Sequence, residues 1–129
     1  MRLLLDTHAL IWWWTNDPQL SAQARDALLD EGNEVFVSAA SAWEIATKQR
    51  LGKLKELPDL RTARFQQLLA ADGFGSLPIT PAHALRAGAH PAAHRDPFDR
   101  MLAAQAELEG LQLVTTDRAF GQFEVAVLW

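Results

Sequence analysis

The sequence predicts an α/β fold in which helices cover both faces of a mostly parallel sheet. Three observations lead there. The runs that read as strands, Leu3-Leu4-Leu5, Val35-Phe36-Val37 and Leu113-Val114-Thr115, are short, continuous and apolar. Strands buried on both faces look like this, whereas half-exposed strands alternate. These runs also alternate with helix-length segments, as in βαβ units. Finally, Thr80-Pro81 and Asp96-Pro97 each place a capping residue before proline, the pattern of a helix start.

Taken in order, residues 2–5 form a buried strand that ends at a charge, Asp6. Asp6-Thr7 caps a short helix over His8 to Trp14, and Asn16-Asp17-Pro18 is a turn. Ser21 opens a second helix, with Ala24, Ala27 and Leu28 near helical spacing, and Gly32-Asn33 ends it. After the second strand, Ser38 to Leu51 reads as a helix closed by Gly52. Pro58 is expected to start another, running to about Ala71 and closed near Gly73. Leu77-Pro78-Ile79 is a short strand or extended piece, and Thr80-Pro81 begins a helix to about Ala87. Gly88 to Arg95 is a loop. Asp96-Pro97 opens a helix that Gly110 ends. Leu113 to Thr115 is a strand, Asp117 to Phe120 a helical turn, and Val125 to Leu128 a last strand.

The 129 residues fit one domain, expected to span 1–129, and 49% hydrophobic content is enough for a core. There is no cysteine, which excludes disulfides, thiolate zinc sites and cysteine nucleophiles. The apolar run at residues 3–5 is far too short for a signal-peptide core or a membrane span. A soluble, cytoplasmic protein is the expectation. The net charge of −4 argues against a general nucleic-acid binder, but the charge is uneven. Lys48, Arg50, Lys53, Lys55, Arg61 and Arg64 are opposed locally by only Glu56 and Asp59. That stretch is net +4 and the remainder net −8. One positive patch suffices to bind phosphates, although a solvated helix face has the same composition.

In parallel α/β sheets ligands bind beyond the carboxyl ends of the strands. Asp6 and Asp117 each follow a strand, Glu44 lies in the helix after the second strand, and Asp96 and Asp99 open the helix after the long loop. Each carboxylate has a structural role available. Asp6, Asp96 and Asp117 are natural caps, Asp99 suits the helix dipole, and Ser41 with Glu44 fits a capping box. Crowded together, however, carboxylates repel, and a divalent cation removes that cost. Magnesium takes oxygen ligands and keeps waters. Such an ion acidifies a water into a nucleophile and stabilises the leaving oxygen of a phosphodiester. Thr7 and Thr116 stand beside aspartates and either orient a water or the phosphate, or cap.

Four segments in this order carry a resemblance: Leu4-Leu5-Asp6-Thr7-His8-Ala9-Leu10, Ser38 to Ala46 with Glu44, His94 to Ala106 with Asp99, and Leu113 to Asp117 with Phe120. Over essentially its whole length the chain resembles the PIN-domain ribonucleases, and among them the VapC-like toxins of type II toxin–antitoxin pairs. The resemblance implies a three-layer α/β/α sandwich, dependence on Mg2+ or Mn2+, endonucleolytic RNA cleavage and a VapB-like antitoxin partner. Carried over by position, Asp6 and Asp99 would be the main metal ligands. Glu44 and Asp117 would complete the site directly or through water. Asp96, beside Pro97, is favoured as a cap over a ligand.

Trp12-Trp13-Trp14 cannot all enter one core from consecutive helical positions, so at least one is expected to meet the antitoxin or a second copy in a homodimer. Trp43 is expected in the core. His94 and Arg95 either contact RNA phosphate or hold the loop, and Arg100 is expected to pair with Asp99. His8, His83 and His90 lack metal-ligand spacing. Haloacid-dehalogenase-like phosphatases and response-regulator receivers also use magnesium, but no Asp-x-Asp follows the first strand and no lysine sits at a strand end. A PIN module that only binds a protein partner is the remaining alternative.

Overall fold

At the centre of the molecule lies β1 (Arg2–Leu5), paired in parallel on both sides. A computed structural model describes residues 1–129. On one side β1 pairs with β2 (Glu34–Ser38), which pairs with β3 (Gly75–Leu77). On the other it pairs with β4 (Gln112–Val114), which pairs with β5 (Val127–Leu128). The five strands are all parallel, in the order β3-β2-β1-β4-β5.

Successive side chains of a strand point to opposite faces, and here both faces are covered. Leu3 and Leu5 of β1 enter the larger core with Val35, Val37 and Val114. Helices α1 (Thr7–Trp14), α2 (Ala22–Leu29) and α4 (Arg64–Ala71) supply much of that layer, with Leu10, Ala24 and Leu69 buried in it. Leu4 and Leu113 point the other way, into a second core with Leu102, Ala103 and Ala106 of α6 (Pro97–Glu109). Helix α5 (Pro81–Ala89) packs on α6. Helix α3 (Ala39–Arg50) contributes Ala40 to the second core and Ile45 to the first. A 3-10 turn, Arg118–Phe123, adds Phe120 and Phe123 to the second core. This is the three-layer α/β/α arrangement that the sequence predicts. No helix is long and apolar enough to cross a membrane.

Several local expectations change. The helix expected from Pro58 begins only at Arg64. Asp59 accepts the backbone N–H and the guanidinium of Arg61, closing a local turn instead of capping a helix. The third strand lies at Gly75–Leu77 and stops before Pro78, because proline has no N–H to give a sheet. Trp43 is 61% exposed, not in the core; its ring meets that of Phe98 edge-on at 4.8 Å. The three consecutive tryptophans are all half-buried against the larger core. Trp13 and Trp14 both donate their indole N–H to Asp72, and Trp12 packs against Trp129.

Candidate active site

The strand order reverses direction between β1 and β4, so the crevice at their carboxyl ends is the natural binding place of such a sheet. Asp6 stands there. Its backbone N–H donates to the Val114 carbonyl at 3.1 Å, extending the β1–β4 ladder by one residue. Its Oδ1 accepts the Ala9 N–H at 2.7 Å and caps α1. Its Oδ2 accepts the hydroxyl of Thr115 at 2.5 Å. Asp6 is buried and makes no salt bridge. Burial pushes its carboxyl above the usual range and outweighs the Thr115 and Ala9 hydrogen bonds and the nearby His8; the charge of Asp99 adds to the rise.

Asp99 projects from the first turn of α6. Asp96 caps that helix, its Oδ1 accepting the N–H groups of Phe98 (2.9 Å) and Asp99 (3.3 Å). Burial pushes the Asp99 carboxyl up as well; His94 opposes this, while Asp96 and Asp117 add to it. His94 Nε2 lies 2.8 Å from Asp99 Oδ2. Asp117 is exposed, caps the 3-10 turn through Ala119, and donates its backbone N–H to Thr115 Oγ1 at 3.0 Å. Asp6, Thr115 and Asp117 are thus joined by hydrogen bonds, while the charge of Asp99 acts on Asp6 and that of Asp117 on Asp99.

Glu44 is buried on α3, with its Oε2 3.0 Å from Lys48 Nζ. The capping-box reading of Glu44 fails because Ser38, not Ser41, caps α3. Ser41, one turn before Glu44, instead shares a hydrogen bond of 3.0 Å with Thr7, tying α3 to the start of α1. Thr7 therefore joins two helices. Thr116 is exposed, and it is Thr115 that donates its hydroxyl to Asp6. The expected Arg100–Asp99 pair is absent; Arg100 turns its guanidinium to backbone carbonyls. Arg50, Lys53 and Arg95 are exposed, Lys48 is occupied by Glu44, and His94 by Asp99.

Sequence reasoning missed Thr115, Ser41 and the part played by Arg100. The signal for Thr115 is register: Leu5 pairs with Val114, so the next residues on each strand, Asp6 and Thr115, are neighbours. No group of three or more histidine, aspartate or glutamate side chains is placed to enclose one metal ion. The donors are all oxygens, and two of them, buried Asp6 and half-buried Asp99, are carboxyls whose charge is disfavoured. Such a set fits magnesium or manganese, which take oxygen ligands; magnesium is often held by one or two carboxylates with waters filling the rest.

The structure is thus a parallel α/β/α domain with acids at the ends of β1 and β4 and in the first turn of α6. The chain belongs to the PIN domain family, whose model matches residues 3–125. It is 34% identical over 118 residues to Ribonuclease VapC22 of Mycobacterium tuberculosis, covering 90% of this chain and 87% of that protein. Its fold is also that of VapBC2 from Rickettsia felis, solved bound to a DNA fragment from its promoter. The TM-score is 0.72 at 14% identity, with 99% of this chain and 98% of that one covered. VapBC-1 from nontypeable Haemophilus influenzae gives 0.69 at 18% identity, covering 99% and 97%.

Proposed function

We propose that the chain is a metal-dependent endoribonuclease, the toxin of a toxin–antitoxin pair restrained by a VapB-like antitoxin. The observation that carries this reading is the pair Asp6 and Asp99: two carboxyls held up by burial at the switch point of a PIN domain, in a chain 34% identical to a VapC ribonuclease. Asp6 and Asp99 would hold Mg2+ or Mn2+, with Glu44 and Asp117 contributing directly or through water. The bound ion would acidify a water and offset charge on the scissile phosphate. Around it, Thr115 fixes one oxygen of Asp6, Asp96 caps the helix that presents Asp99, and Thr7 with Ser41 keeps α3 against α1. Arg50, Lys53 and Arg95 offer exposed cations to the RNA backbone. Activity in the cytoplasm as a homodimer, in one domain spanning 1–129, accords with this reading.

The test is cleavage of single-stranded RNA by the purified chain. Activity with Mg2+ or Mn2+ is expected, with loss in EDTA and loss in Asp6→Asn. Cleavage that survives Asp6→Asn would overturn the reading. A folded wild-type chain that binds antitoxin but cuts no RNA with either metal would leave a binding module.

A further inference from the structure

Arg100 follows Asp99 on α6, yet no carboxylate answers its charge. Its guanidinium donates to the backbone instead: Nε to Ala87 O at 2.8 Å, Nη1 to Ala92 O at 2.9 Å and His94 O at 2.7 Å, and Nη2 to His90 O at 2.6 Å. Ala87 lies in the last turn of α5, where carbonyls lose their helical partners and the dipole favours a cation. The other three carbonyls belong to the irregular segment 90–96 between α5 and α6. One planar fork of N–H donors therefore closes this whole connection from within.

His94 is where that connection meets the site. Arg100 holds its carbonyl, the ring of Phe123 meets its imidazole edge-on at 5.9 Å, and its Nε2 lies 2.8 Å from Asp99 Oδ2. A carboxylate with one oxygen fixed can no longer rotate freely. We propose that Arg100 and His94 are positioning residues acting in series: Arg100 fixes the 87–94 backbone so that His94 sets the orientation of Asp99 toward the site. This rests on the reading of Asp99 as a metal ligand.

The test uses the full chain as wild type, Arg100→Lys, His94→Ala and the double variant. Imidazole 15N signals report the His94 contact, electron paramagnetic resonance of free Mn2+ gives metal affinity, and kinetics on RNA separate kcat from KM. A lysine ammonium cannot span all of these carbonyls. In Arg100→Lys the His94 Nε2 signal is expected to move to that of a free imidazole, while that of buried His83 stays. Loss of a group that orients a ligand weakens metal binding by ~10–100-fold, so Mn2+ affinity is expected to fall in that range, with KM for RNA unchanged. His94→Ala should match it, and the double variant should be no worse than the weaker single. Additive losses, or an unchanged His94 signal and Mn2+ affinity in Arg100→Lys, overturn the proposal. If Arg100→Lys does not fold, His94→Ala decides, since it leaves the backbone carbonyls in place; wild-type Mn2+ affinity in that variant overturns it. A wild-type chain that binds no Mn2+ overturns both readings. One that binds Mn2+ and shows the expected losses but cuts no RNA overturns only the ribonuclease.

Discussion

Asp6 is stabilised by two hydrogen bonds and still disfavoured as an anion, because burial outweighs both. Its folded pKa lies above 3.8, so its contribution to stability is complete below that value and is lost as pH rises through the folded pKa. In the metal-free protein Asp6→Asn is therefore expected to raise the melting temperature at pH 7. Thermal unfolding in EDTA at stepped pH should show this gain shrink as the pH falls toward 3.8. Thr115→Val should act oppositely at neutral pH. It leaves a buried acceptor without its donor, at a cost of about 1–3 kcal/mol by chemical denaturation. Thr116→Val, at an exposed position, should stay within about 0.5 kcal/mol. The sequence drew attention to Asp6 and to Thr116, whereas the threonine that donates to Asp6 is Thr115. Which of two adjacent side chains faces the site depends on where the strand ends, and Thr115-Thr116 carries no mark of that.

Among the elements, those that begin with a cap were legible, since capping is local chemistry. Asp6, Ser21, Thr80, Asp96 and Asp117 all accept from the first turn that follows them. Asp96→Ala should cost about 1 kcal/mol, whereas Asp96→Asn keeps an acceptor and should cost little. If Asp96 only shapes α6, RNA cleavage should persist in Asp96→Asn and vanish in Asp99→Asn. The segment before α4 was misread for the same local reason in reverse. Pro58 followed by an acid looks like a helix start, but Asp59 is bound to Arg61, and Gln49 reaches across to Pro58 O and the Leu60 N–H. Those long-range bonds are invisible to a window of neighbouring residues. Arg100 was misread in the same way. Proximity in sequence suggested Asp99, while the fold offered five backbone carbonyls.

Across the whole molecule, composition and strand character gave the layered architecture, but not the strand order. Hydrophobicity says that a strand is buried and does not say beside which strand. The order matters, because it brings the ends of β1 and β4 together and so unites Asp6 with Thr115 and Asp117. Charge is a property of the same scale. The net +4 stretch includes Lys53 and Lys55, both exposed. If both contact RNA phosphates, Lys53→Gln with Lys55→Gln should raise KM and lower the slope of log affinity against log salt by about 1.4. A fluorescence titration of uncleaved RNA in EDTA at several salt concentrations measures it. Trp43 shows the limit of reading burial from residue type. An exposed tryptophan stacked edge-on against Phe98 is an aromatic surface of the kind found at interfaces.

The ladder that holds Asp6 has a dynamic consequence. Leu3, Leu4 and Leu5 are wholly buried and paired on both sides, and the Asp6 N–H continues the pairing to Val114. Amides so placed exchange with solvent only when a domain opens globally. The carboxylate at the heart of the site is therefore anchored to the last part of the protein to open. The candidate site therefore has no loose floor by which it could open on its own, and on the proposed reading its restraint falls to a partner.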